Sequence, residues 1–154
     1  MKKSRTRLHN SPFARLNRSG AALVELALVL PIFVMLALGI IEFGRALMVS
    51  QLVTNAAREG VRLASLDGTT NTEVEETIRT FLTGSANVSA GDVAITISIT
   101  PATGNPNPSN QVADANVRDQ INVQVGIPFN SVSFTGGNYL TGKTIIGSAT
   151  MRHE

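Results

Sequence analysis

Gly20 and Glu25 are separated by four uncharged residues, at the point where a basic leader gives way to an apolar run. A carboxylate costs about 3 kcal/mol at the centre of a lipid-embedded helix, so Glu25 needs a physical reason to be there. If the chain were cut after Gly20, Ala21 would become a new amino terminus and Glu25 its fifth residue. That spacing is roughly one helical turn. The new ammonium and the carboxylate, on one chain or between neighbouring chains, could then neutralise each other where either alone is costly.

Other chemistry-bearing residues are fewer. Glu42 with Arg45 and Glu59 with Arg62 stand three apart, the spacing that lets opposite charges pair on a helix surface. Exposed pairs of this kind stabilise little, so the alternative role is to fix register against a neighbouring helix. Ala56, Ala57 and Gly60 are small enough for close helix contact, and Pro31 removes a backbone donor inside the apolar run and bends it. Glu73, Glu75 and Glu76 crowd one helix start, where the helix dipole favours them without any acid–base role.

The remaining inventory argues against an enzyme. The chain has no Cys, and its two histidines, His9 and His153, lie at opposite ends. Thiolate chemistry and Cys-based zinc sites are therefore excluded, and a histidine-cluster metal site is poorly supplied. No nucleophile–base pair, phosphate loop or metal-ligand spacing is present, so no cofactor is expected.

The elements that must position Gly20 and Glu25 come next. Residues 1–20 carry Lys2, Lys3, Arg5, Arg7, Arg15 and Arg18 and no acid, whereas the rest of the chain has a net charge of −4. Basicity is thus a local leader rather than a folded face, which argues against nucleic-acid binding. From Ala21 to Ile41 the only charge is Glu25. At about 1.5 Å per residue this run reaches about 31 Å, close to the thickness of a hydrocarbon core. The run is expected to cross a bilayer once, the cations holding the amino terminus in the cytoplasm and leaving the carboxyl terminus outside. A conventional signal peptide, cut near Ala37-Leu38-Gly39, and a plain anchor are the competing readings, but neither gives Glu25 a use. The leader, Gly20 and Glu25 together follow the cleavage and assembly logic of type IV prepilins.

Three blocks carry a more specific resemblance: Arg18-Ser-Gly-Ala-Ala-Leu-Val-Glu-Leu-Ala-Leu-Val-Leu-Pro31, Gly39-Ile-Ile-Glu-Phe-Gly-Arg45 and Asn55-Ala-Ala-Arg-Glu-Gly-Val-Arg62. With the closing Ala149-Thr-Met-Arg-His-Glu154, they resemble the TadE-like pseudopilins of tight-adherence (Flp-type) pilus systems. The likeness is strong over residues 18–66, faint through the middle, and returns at the end. It implies a minor pilin-like subunit of the cytoplasmic (inner) membrane, or of the pilus itself. Its implied partners are a prepilin peptidase, other pilin-like subunits and the pilus assembly platform. Leu26 follows Glu25 where major pilins of these systems usually have Tyr, which fits a minor rather than a major subunit. The alternative class is an anchored or secreted binding module that uses the apolar run for delivery alone.

Beyond the membrane the helical period continues to Leu66, with Ile41, Leu47 or Met48, Leu52, Ala56 and Leu63 near one face. Asp67-Gly68 is a helix stop. A second helix is expected over residues 72–82, with Thr72 and Glu75 as its capping box, Val74, Ile78, Phe81 and Leu82 as its apolar face, and Gly84 as its end. Residues 93–100, 121–127 and 144–151 alternate as strands. Residues 101–110 and 130–142 read as loops, with Phe134 and Tyr139 as anchors in the second. The expected architecture is α+β and type IV pilin-like: a leader (1–20), a long helix (21–66) with its transmembrane part at about 21–41, and an extracytoplasmic domain (67–154) with a short helix and a small antiparallel sheet.

Overall fold

The computed structural model describes residues 13–134, 140 and 142–154, with side chains from residue 20 onward. The leader as far as residue 12, and Tyr139, lie outside the described residues. The first element is a helix, α1, Phe13–Ala64, with Pro31 inside it. It begins within the basic leader and gives way at Ser65 to a turn containing Gly68, whose φ of +79° suits glycine. The chain divides into two units, Met1–Gly39 and Ile40–Glu154. In the first, every described side chain up to Leu36 is exposed.

The second unit is α+β, as its sequence pattern predicts. After α1 come α2 (Asn71–Ala86) and three strands, β1 (Ala94–Thr100), β2 (Gln120–Pro128) and β3 (Thr144–Arg152). The strands form an antiparallel sheet in the order β1-β2-β3. Period-2 alternation places Ile121, Val123, Val125 and Ile127 of the central strand in the core, while Gln124 faces out. Across the sheet these residues pair with Ile99, Ile97 and Ile95 on one side and with Met151, Ala149, Gly147 and Ile145 on the other.

The buried face of α1 matches the expected one only in part: Ala56 is buried and Leu52 and Leu63 pack against the core. Ile41, Leu47 and Met48 are exposed, whereas Val49, Val53, Ala56, Ala57, Val61 and Ala64 are buried. Small and β-branched residues form this face because the helix lies very close to the sheet. A Cβ added to Gly147 of β3 would sit 2.7 Å from Thr54 N and 2.8 Å from Thr54 Cα. Gly60 plays the matching part toward α2: a Cβ there would meet Ile78 Cδ1 at 2.5 Å.

The capping box of α2 also lies earlier than expected. Thr70 rather than Thr72 is the N-cap; Glu73 N donates to Thr70 Oγ1 (3.4 Å), and Thr70 N donates to Glu73 Oε2 (2.8 Å). Two Thr-x-x-Glu frames overlap here, and the helix buries Val74, Ile78, Leu82 and Ala86. Hydrogen bonds from the Thr70 backbone and side chain hold the Glu73 carboxyl below its ordinary pKa. Gly84 does not end the helix, which runs to Ala86 and closes on Asn87 in the left-handed region (φ 53°). Thr70→Ala removes the cap acceptor and should destabilise the chain by about 1 kcal/mol in urea unfolding, whereas Thr72→Ala should change little.

The β1–β2 connection is held by polar side chains. Asp119 is fully buried and accepts from Ala102 N (2.8 Å), Asn116 N (2.8 Å) and Asn105 Nδ2 (2.6 Å). Burial works to raise its pKa, but these hydrogen bonds, with the field of His153, hold the carboxyl below its usual range. Asn71 ties the same connection to α2, accepting from Val112 N (2.7 Å) and donating to Asn110 O (2.9 Å). The carboxyl-terminal residues latch the end of α1: Glu154 N donates to Ser65 O (3.2 Å), and buried His153 lies 3.8 Å from Asp67 Oδ1.

Candidate functional site

The candidate site is a stretch of α1, and each unit contains part of it. In the first unit, Gly20, Ala21 and Glu25 are helical and exposed. An added Cβ at Gly20 would have no neighbouring atom within 4 Å. Glu25 lines a shallow hollow with Ala22, Leu26 and Val29, so its carboxylate is set among apolar groups on an open helix surface. Pro31 is accommodated without ending the helix. The most apolar 18-residue window of the helix has a mean hydropathy of 2.7 and none of it is buried, which makes α1 a candidate membrane anchor.

In the second unit, the two charges expected to pair on the helix surface both turn to the segment after β2. Glu42 is fully buried; it accepts from Ser133 Oγ and, at 3.4 Å, from Phe134 N. Arg45 Nε donates to Val132 O, and its guanidinium carbon lies 4.3 Å from the centre of the Phe134 ring, within cation–π range. Together they staple α1 to residues 132–134. Glu59 and Arg62 do pair on the surface (2.6 Å), and the Arg62 hydrogen bond holds the Glu59 carboxyl below its ordinary pKa.

Ala56 and Gly60, read from their size as helix-contact positions, lie in the core of this chain's own second unit. Their small size is used by intrachain packing. Sequence reasoning missed the partners of Glu42 and Arg45, because nothing local marks Val132-Ser-Phe134 as the complement of charges nearly ninety residues earlier. It also missed the buried acceptor Asp119; its one local signal was a cluster of turn-forming Asn and Asp residues before a strand. Among the described residues no group of three His, Cys, Asp or Glu could hold a metal ion.

Gly20, Glu25, Pro31, Glu42 and Arg45 follow one another along α1. Residues 20–62 match the family of TadE-like proteins. The TadE-like match begins on Gly20 and covers every position singled out above on α1, a little over a quarter of the chain. The TadE-like family is associated with tight-adherence pili and is structural rather than enzymatic. Comparison with curated proteins and with solved structures gives no significant match.

Proposed function

We propose that the chain is a minor pilin-like subunit for assembly of a tight-adherence pilus, cut after Gly20 by a prepilin peptidase. In this reading α1 anchors it in the cytoplasmic membrane, with its amino terminus inside and its carboxyl terminus outside. The observation that carries the reading is the placement of Gly20 and Glu25 where the basic start of α1 gives way to its exposed apolar run, at the start of the TadE-like match. After cleavage the Ala21 ammonium and the Glu25 carboxylate lie about one turn apart. Pairing between adjacent subunits would remove two charges from lipid, so the bilayer itself favours assembly. Other pilin-like subunits and the assembly platform are the partners this chemistry requires.

Gly20→Ala tests the cleavage. The added methyl meets nothing in this chain, and alanine is the better helix former by about 1 kcal/mol, so folding and insertion should be kept. The variant should accumulate uncut, because a peptidase that admits only glycine before the scissile bond would reject the methyl. Normal processing of this variant would remove the argument for Gly20. Glu25→Gln should still be inserted and cut, yet should reduce piliation; unchanged piliation would show that the charge pairing is not needed.

A further inference from the structure

The second unit exposes apolar side chains around α1 at one level. On one side Ile40, Phe43 and Leu47 are 74%, 54% and 69% exposed, with Met48 beside them. Their spacing puts them on a single helical stripe. One turn further along, the same stripe becomes polar with Gln51, Asn55, Arg58 and Arg62, all exposed. On the other side, beside Glu42 and Arg45, Phe134 is 70% exposed. The two charges at this level do not reach the apolar stripe, because Glu42 is buried against Ser133 and Arg45 is bonded to Val132.

We propose that this level of the second unit lies within the outer leaflet of the bilayer, so that the lipid boundary falls between Met48 and Gln51 rather than near Ile41; with Ala21 and Glu25 also in lipid, the 28 residues from Ala21 to Met48 reach about 42 Å, so α1 must tilt steeply or thicken the bilayer around it. The inference rests on α1 being a membrane anchor, and three observations support lipid as the occupant. The stripe lies on the helix that is long and apolar enough to cross a membrane. Apolar groups point outward on both sides of the helix, as a bilayer requires and a single partner helix does not. Glu42 and Arg45 are satisfied within the protein, which is the condition for carrying them to that depth. Arg45 over the Phe134 ring is also suited to the interface, where aromatic and long cationic side chains meet headgroups.

The chain has no cysteine, so single-cysteine variants of the full chain give unique labelling sites. Leu30→Cys, Phe43→Cys, Leu47→Cys, Gln51→Cys, Arg58→Cys and Phe134→Cys would each carry an environment-sensitive fluorophore. The labelled proteins would be reconstituted in phosphatidylethanolamine–phosphatidylglycerol vesicles, with nitroxide-bearing lipid or aqueous iodide as quencher. Labels at 43, 47 and 134 should be blue-shifted, quenched by the nitroxide lipid and protected from iodide, as at 30; those at 51 and 58 should show the reverse. Iodide quenching at 43 and 47 with Leu30 still in lipid overturns the proposal and leaves the anchor intact. Iodide quenching at 30 as well overturns both. Protection of 43 and 47 from both quenchers, relieved by diluting protein in lipid, means that a second copy covers the stripe and also overturns it. So does a Phe134 label in water with 43 and 47 in lipid, since the boundary would then not encircle the helix.

Discussion

Gly147→Ala should be among the most damaging single-methyl changes in the chain. Its Cβ would fall 2.7 Å from Thr54 N and 2.9 Å from Val53 C, both backbone atoms of α1 that cannot rotate away. The sheet must then separate from the helix, opening the seam where Val49, Val53 and Ala57 are buried. Overpacking of this kind costs about 3 kcal/mol, which for a unit of this size lowers the melting temperature by on the order of ten degrees. Gly60→Ala is the internal control. Its Cβ meets side-chain rather than backbone atoms, Ile78 Cδ1 at 2.5 Å and Cγ1 at 2.9 Å with Val123 Cγ1 at 3.6 Å, so a smaller cost, about 1–2 kcal/mol, is expected. Thermal unfolding of the detergent-solubilised chain by circular dichroism checks both. A Gly147→Ala melting curve that overlays the parent would mean that helix and sheet do not approach so closely.

Asp119→Ala should cost about as much by a different route. It leaves the partly buried donors Ala102 N, Asn116 N and Asn105 Nδ2 without their acceptor, at about 1 kcal/mol each. Asp119→Asn is no rescue, because its amide brings two further donors into a site built of donors. The pH dependence has a definite sign. The folded-state pKa lies below the unfolded value of about 3.9, so the unfolded chain binds the proton more readily. The stabilisation from Asp119 is therefore fully present above about pH 5 and is lost as pH falls through the lowered folded pKa. Urea midpoints measured from neutral pH down into that acid range should fall for the parent and fall less for Asp119→Asn. Equal slopes would show that Asp119 is not the group responsible.

What the sequence discloses and what it hides divide along physical lines. Alternation in residues 93–100, 121–127 and 144–151 predicts β1, β2 and β3 to within a residue at each end, because period-2 burial is a local property. The burial of α1 is less legible. Its large residues suggest one face, but α1 approaches the sheet closely at Gly147, and the fully buried side chains of α1 nearest it are Val and Ala, with Leu52 and Leu63 only partly covered. Two overlapping Thr-x-x-Glu frames give Thr70 and Thr72 equal local claims to the cap, and the same face, Val74, Ile78 and Leu82, is buried with the earlier one in use. The same holds for the site. Gly20, Glu25 and Pro31 can be read in one dimension because their chemistry depends on spacing along a helix. Glu42 and Arg45 cannot, because their partners at residues 132–134 come from a distant part of the chain.

The central claim is that the chain is cut between Gly20 and Ala21 and assembles by the new terminus. Intact mass and amino-terminal sequencing of membrane-extracted protein, from cells with and without their prepilin peptidase, test it most directly. The account predicts a chain beginning at Ala21 when the peptidase is present and an uncut chain when it is absent. A start near Ile40, or an uncut chain in both strains, would contradict it.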